Sequence, residues 1–368
     1  MLTVAVVGCG RIGSLLEDDP LRPKPASHLG AIAACAERVR LLAVCDTDRQ
    51  RLLLCQKRWH VPHVYLDYRE MLGIERPDLL VIATWTESHR DIAVFAARNG
   101  VRGIVLEKPM AIDLEQAREI IATCRTRQVK LVINHERRWD PLYRKAAEIV
   151  RDGRLGALRT IGASVLCQSA ARGSWKSILD EVGGGPLLHD GTHLIDMIRY
   201  LGGEIHTVQG SVRREVPEVG VETTAVGQLE CGDRVVVFLE AGGMREYFHF
   251  ELDLQFERGR LKVGNGVREL WTVAPSTRYS GFADLVPGEF PPLAGGLNPF
   301  TGALREAADA IDQDLPETAI LSSGIDGLRA MEAVFALYYS AFIGGKPVAM
   351  PPRLSGHPLK KMFQTGML

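Results

Sequence analysis

The 368-residue chain has no excess of charge of either sign: 44 Lys plus Arg stand against 45 Asp plus Glu, scattered along its length. That balance excludes the electrostatic footprint of a nucleic-acid or anionic-membrane binder and leaves a small molecule as the expected partner. The seven cysteines, Cys9, Cys35, Cys45, Cys55, Cys124, Cys167 and Cys231, are odd in number and never spaced Cys-x-x-Cys. A disulfide framework and a thiolate metal centre are therefore not expected, and reduced core thiols in a cytoplasmic protein are. No apolar run approaches the roughly 20 residues that span a bilayer. The amino terminus, Met1 to Val7, lacks a basic lead and a cleavage site and runs straight into glycines, so it reads as a strand and not a signal peptide. Internal repeats and low-complexity tracts are absent as well.

What is present is a change of rhythm. From Leu2 to Asn134, short β-branched runs (Thr3 to Val7, Leu41 to Cys45, Leu79 to Ala83, Gly103 to Leu106, Lys130 to Ile133) alternate with helical stretches, the pattern of a parallel sheet covered on both faces. Beyond about Arg151 the strands lengthen and alternate: Leu158 to Cys167, Thr223 to Leu229, Val235 to Glu240, Phe248 to Glu257 and Arg260 to Val263. This spacing predicts a mostly antiparallel sheet. The expected fold is α/β, with a dinucleotide-binding Rossmann domain over residues 1–134 and an α+β domain over 135–368. Ser322 is placed to cap a helix carrying Ile325, Leu328, Met331, Phe335, Tyr338 and Phe342, stopped by Gly344-Gly345. Pro275 to Pro299, rich in Pro and Gly, reads as a long loop.

Gly8-Cys9-Gly10-Arg11-Ile12-Gly13 follows the first strand at once, where glycines permit a tight turn and let a pyrophosphate approach the first amides of a helix. Asp46 ends the second strand, where a carboxylate accepts the adenosine ribose hydroxyls and repels a 2′-phosphate, so NAD is expected over NADP. Gly13 and Asp46 lie 33 residues apart, against about 20 in the usual fingerprint. The surplus falls on Glu17 to Pro25, whose three prolines cannot continue a helix. It is expected to form a loop at the cofactor cleft, either solvated or with Arg22 or Lys24 touching a ligand.

Two further stretches sit where ligands of such sheets bind. Thr84 to His89 follows the third apolar run; Trp85 is placed to cover the cofactor or to pack between helices, and His89 to bind or to cap the next helix. Glu107-Lys108-Pro109 ends the strand Gly103 to Leu106 and presents a poised ammonium group. In the second half, Gly183-Gly184-Gly185-Pro186 leads into a helix bearing His189, Asp190, His193 and Asp196, more titratable groups than a structural helix start needs. Two imidazoles and a carboxylate could ligate zinc, but no His-Glu-x-x-His or cysteine cluster accompanies them, and no metal is expected. Arg138, Arg172 and Trp175 are candidates for sugar hydroxyls or for a domain-interface clamp. His206 and His249 read as structural.

These motifs, with Arg138-Trp139-Asp140-Pro141 and the terminal Gly345-Lys346-Pro347-Val348, resemble the Gfo/Idh/MocA oxidoreductases in order and over nearly the whole chain. The resemblance implies hydride transfer between nicotinamide C4 and a secondary alcohol or ketone carbon of a sugar, aminosugar or cyclitol. It makes Gly8, Gly10, Arg11, Ile12, Gly13, Asp46, Thr84, Trp85, His89, Glu107 and Lys108 cofactor residues. It places Lys108, Arg138, Trp175, His189, Asp190 and His193 at the substrate. It also makes Lys108 the cation bordering nicotinamide and substrate, and His193 the acid/base, a role that suits an imidazole near neutral pH. Many relatives carry an aspartate four residues before that histidine; here His189 stands there, and either Asp190 takes the role or His189 serves as a second proton carrier or substrate ligand. Relatives form dimers or tetramers through the open sheet of the second domain. Two other readings stay open: a glycoside-cleaving enzyme using transient oxidation with retained NAD, and a non-catalytic dinucleotide sensor.

Overall fold

Five apolar runs and one short polar strand build a six-stranded sheet: β1 (Leu2–Val7), β2 (Val39–Cys45), β3 (His63–Tyr65), β4 (Leu79–Ile82), β5 (Gly103–Leu106) and β6 (Lys130–Ile133). All neighbours pair in parallel, in the order β3-β2-β1-β4-β5-β6. Both faces are covered, so β4 and β5 are buried at every residue, as continuous apolar runs demand. β3 holds a single aliphatic residue and left no apolar run to find. Aspartates start the helices between strands: Asp48 accepts from the amides of Gln50 and Arg51, Asp67 from Arg69, and Asp113 from Gln116, each satisfying amides that a helix start leaves open. The order reverses between β1 and β4, which makes this a Rossmann arrangement with its ligand edge at the strands' carboxyl ends.

The computed structural model describes residues 1–167, 184–293, 295, 298–354 and 356–368. The chain divides into a first unit of Met1–Asp140 with Leu297–Leu328 and a second of Pro141–Gly296 with Arg329–Leu368. The expected boundary at residue 134 is thus revised, and the first unit is discontinuous. The reason is the helix Pro299–Asp312, which buries Ala303, Ala307, Ala310 and Ile311 in the core shared with Val4, Leu79 and Val105. Helical periodicity does not reveal which sheet a helix covers.

In the second unit, β7 (Leu158–Cys167), β8 (Ile205–Arg213), β9 (Thr224–Cys231), β10 (Val235–Gly243), β11 (His249–Phe256), β12 (Gly259–Gly264), β13 (Val267–Pro275), β14 (Ala283–Gly288) and β15 (Val348–Ala349) form a second sheet. Its order is β14-β13-β12-β11-β7-β10-β9-β8-β15. Only β7 with β10 is parallel, so the sheet is mostly antiparallel. Along β10, Val235, Val237, Leu239 and Ala241 are buried while Phe238 is exposed, the period of two that gives one face to the core. The buried face receives the helix Gly191–Gly202.

The expected loop at 275–299 contains β14, an edge strand paired with β13. Its apolar residues, Leu285 and Val286, are too few to announce it. The expected cap at Ser322 lies one residue on: Ser323 and Asp326 bond reciprocally at the start of the helix Gly324–Phe342.

Candidate active site

At the carboxyl edge of the first sheet, β1 passes straight into Gly8, whose φ is +102° and whose amide donates to the Cys45 carbonyl at 2.8 Å. A β-carbon there would lie 2.4 Å from the Ala83 carbonyl oxygen, and one on Gly13 would lie 2.0 Å from the Gly8 carbonyl oxygen. Both glycines are required by the turn itself. Gly10 differs, because a β-carbon there would meet nothing within 4 Å. Space is left beside its backbone where a pyrophosphate would approach the amides of the turn.

Asp46 follows β2 and is buried; its Oδ2 accepts from the Cys9 amide at 2.8 Å and its Oδ1 from the Asp48 amide at 2.9 Å, with Arg51 Nη1 3.4 Å from both oxygens. The carboxylate is thereby locked to the glycine turn. Arg11 is exposed and Ile12 half-buried beside it.

The surplus residues lie between the glycine turn and the first α-helix, His28–Ala34. The amides of His28 and Leu29 donate to the Ile12 and Gly13 carbonyls, each at 3.0 Å, so the start of that helix is bonded to the end of the glycine turn. Glu17 closes the excursion, accepting from the Ala26 amide at 2.9 Å and the Ser27 hydroxyl at 2.8 Å. Arg22 pairs with Asp19, and Lys24 donates to the Asp19 carbonyl. Both cations bond within the loop itself.

Glu107, just past β5, is the hub of a buried cluster. His28 Nε2 lies 2.7 Å and Asn134 Nδ2 2.6 Å from its Oε1. Burial alone would raise the carboxyl, but the hydrogen bond and charge of His28, the charge of Lys108 and the Asn134 amide hold it below the usual carboxylate range. The next residue, Lys108, is half-buried and joined to Pro109 by a cis peptide bond. The Glu107 Oε2 accepts from the Lys108 amide at 3.3 Å, so Glu107 is a buried support for the backbone of Lys108. Removing one partner from such a cluster costs about 3–5 kcal/mol.

His89 is also buried. Its ring nitrogens lie 3.0 Å from the Pro109 carbonyl oxygen and 3.1 Å from that of Thr84, and burial pushes its pKa down. The ring braces the Lys108-Pro109 turn against Thr84. Thr84 accepts from the Ser88 hydroxyl at 2.7 Å. Trp85 stands 54 % exposed at this edge, free of the interhelical packing that was its alternative. Arg138 is buried, with Asp326 3.0 Å from its Nη2 and the Leu321 carbonyl as a further acceptor; both partners belong to the same unit as Arg138. Trp175, Arg172 and Gly183 lie outside the described residues.

In the second unit, Pro186–His189 forms a short helix that leads through Asp190 into Gly191–Gly202. His189 and Asp190 are partly exposed, with Nδ1 and Oδ1 3.2 Å apart, while His193 is buried. The spacing places His193 one turn beyond His189 on the same side. Asp196, fully buried, lies 3.7 Å from Arg199, which also pairs with Glu204 at 2.5 Å; it is structural.

Sequence reasoning passed over Glu222. This carboxylate is fully buried and accepts from the amides of Gly185 at 2.8 Å and Leu187 at 3.1 Å, and from the Tyr338 hydroxyl at 2.8 Å. Burial pushes its pKa up to about 7, against the opposing pull of those bonds. An acid raised in the folded state stabilises fully below its unfolded value near 4.5 and loses that contribution as pH rises through about 7. The loss is on the order of 3 kcal/mol. Urea unfolding of Glu222→Gln should therefore show a flatter fall in stability across that window than the wild type; an identical fall would rule Glu222 out as its source.

Residues 2–135 match the oxidoreductase family with an NAD-binding Rossmann fold, and residues 143–262 match the GFO/IDH/MocA C-terminal domain. The chain belongs to the Gfo/Idh/MocA family. It carries that family's NAD-binding Rossmann domain. It is 29% identical over 194 residues to D-apiose dehydrogenase of Paraburkholderia graminis, covering 50% of this chain and 49% of that protein. The chain thus spans about half the length of that relative. It is 27% identical to myo-inositol 2-dehydrogenase of Thermotoga maritima, over 74% of this chain and 78% of that protein. Among solved structures, levoglucosan dehydrogenase in complex with NADH and L-sorbose is 19% identical, with a TM-score of 0.79 over 96% of this chain and 99% of that one. That likeness establishes the fold of this family member. No helix among the described residues is long and apolar enough to cross a membrane.

Proposed function

We propose that the protein is an NAD-dependent dehydrogenase acting on a secondary alcohol of a sugar, aminosugar or cyclitol, or reducing the matching ketone. The observation that carries this is the open space beside Gly10, at the sheet edge that also presents Asp46 and Lys108. The amides of the Gly8 to Gly13 turn hold a pyrophosphate there, Asp46 takes the ribose hydroxyls, and Trp85 supplies an exposed apolar wall. When bound, the nicotinamide supplies a two-electron acceptor at C4 for hydride from the substrate carbon. His193 removes the hydroxyl proton as negative charge develops on the oxygen. The Lys108 ammonium stabilises that charge and orients the hydroxyl. Asp190 acts as substrate ligand and orienting group, with His189 beside it. The named activities of the relatives on D-apiose, myo-inositol and levoglucosan support a polyhydroxylated substrate.

The test is NADH formation with D-apiose, myo-inositol, levoglucosan, aminosugars and glycosides as candidate substrates. Net NADH with a free sugar or cyclitol is the expected result. Release of the aglycone from a glycoside with no net NADH would overturn it in favour of transient oxidation. The same reading has the chain associate as a dimer or tetramer through the outer face of the second sheet, where Val226 and Phe238 are exposed. A monomeric mass by sedimentation would refute that. It also has the protein act in the cytoplasm, where its seven free thiols stay reduced; recovery in a membrane or secreted fraction would refute this.

A further inference from the structure

The helix that carries His189, Asp190 and His193 does not start on its own resources. Its first segment, Pro186–His189, is four residues long and has no side-chain cap from Gly185. So short a helix cannot hold its own geometry. Glu222 supplies what is missing from the end of β8–β9 connection, just ahead of β9, with both oxygens turned to the amides of Gly185 and Leu187.

Close approach is built into the neighbours. A β-carbon on Gly185 would lie 2.1 Å from the Glu222 carbonyl oxygen, and one on Gly184 would lie 2.4 Å from the Tyr338 hydroxyl. These two glycines are there for contact with the Glu222 and Tyr338 pair, in place of the flexibility their sequence suggests. Tyr338, fully buried on the helix Gly324–Phe342, donates to Glu222; burial and the adjacent carboxylate keep its hydroxyl protonated. From Gly185 a relay of backbone bonds runs forward: the His189 amide donates to Gly185 at 3.1 Å, Asp190 to Pro186 at 3.0 Å and His193 to Asp190 at 3.2 Å.

We propose that Glu222 is a positioning residue, which by gripping the Gly185 and Leu187 amides sets the placement of His189, Asp190 and His193. Its importance for catalysis rests on the function proposed above; the positioning itself does not. Removing this acceptor frees two buried amides, and the first turn must shift to find others. A shift there moves imidazoles that have to meet a substrate hydroxyl within hydrogen-bond reach.

The experiment is NMR of the full chain with labelled histidine rings, comparing wild type, Glu222→Gln and Tyr338→Phe. The signals of His189 and His193 are assigned from His189→Gln and His193→Gln. Gln at 222 turns an amide N–H2 toward a donor, whereas Phe at 338 keeps the carboxylate and removes one bond. The expected result is a change at His189 and His193, larger in Glu222→Gln, with the other rings of the ten histidines unmoved save His357, whose ring lies 6.2 Å from that of Tyr338 and reports that substitution directly. With a sugar that is turned over, kcat should fall about tenfold in Glu222→Gln while KM for NAD stays within about twofold.

Folded variants whose His189 and His193 signals match the wild type would overturn the proposal, as would shifts spread over all ten rings. If Glu222→Gln fails to fold, Tyr338→Phe decides by the same criterion. Failure of every sugar to yield NADH would count against the proposed function and leave the ring signals to judge Glu222 alone.

Discussion

His193→Ala should lower turnover by about 10²- to 10⁴-fold, the usual contribution of a positioned acid/base, with NAD affinity within about twofold of wild type. Hydride cannot leave a carbon that still carries a protonated hydroxyl without building positive charge on oxygen, so proton removal must accompany it. Lys108→Ala should cost about 10²- to 10³-fold, the scale of losing one preorganised charge at a developing oxyanion. NAD affinity should again hold, because the contacts proposed for pyrophosphate and ribose come from the Gly8 to Gly13 turn and Asp46. Lys108 also contributes to holding Glu107 ionised, so Lys108→Arg is the informative companion. It keeps the charge while changing the reach of the donor, and should restore the Glu107 cluster without restoring full turnover. Steady-state kinetics with NAD titration separates the two effects. Wild-type turnover in His193→Ala or Lys108→Ala would exclude the mechanism.

Gly10→Ala and Gly13→Ala should fail in opposite ways. At Gly13 the new methyl would lie 2.0 Å from the Gly8 carbonyl oxygen, a clash with backbone that no rotamer change relieves. Overpacking of this kind costs about 1–3 kcal/mol or more, so Gly13→Ala should unfold at lower temperature even without ligand. At Gly10 the methyl meets no protein atom within 4 Å, so the unliganded fold should be unaffected. The methyl would instead occupy the approach of the pyrophosphate and weaken NAD binding by about tenfold or more. Thermal unfolding with and without NAD, together with direct NAD titration, distinguishes them. Full NAD affinity in Gly10→Ala would mean that the open space beside this residue is not the cofactor's path.

The strands of the first sheet were legible because a strand covered on both faces must be a continuous apolar run, and β5 and β6 follow those runs residue for residue. β3 and β14 were not, since a short edge strand needs little apolar surface. The insertion was legible as surplus length and prolines. That it starts from the glycine turn and returns to it, with His28 and Leu29 bonding back to Ile12 and Gly13, depends on hydrogen bonds between residues about 16 apart, which no local pattern encodes.

The candidate site divides along the same line. The glycine turn, Asp46, Lys108 and the His189 to His193 stretch carry their chemistry in spacing and residue type, so sequence alone marked them. The partners of the marked groups were not legible there. The His89 ring nitrogens face the Pro109 and Thr84 carbonyls, Arg138 donates to the Leu321 carbonyl and pairs with Asp326, and Glu107 is paired in the core with His28, 79 residues away. Glu222 reaches Gly185 across 37 residues with no motif around it.

From sequence alone came the two-part architecture, the nucleotide edge and the candidates for the reactive groups, because these follow from local periodicity, from what each side chain can do and from the order of the family's motifs. Only the tertiary structure determined the return of residues 297–328 to the first unit, the buried supports beneath Lys108 and the anchor of the histidine helix. Each of these is a contact between distant segments, fixed by the need to bury apolar surface and to satisfy every polar group buried with it.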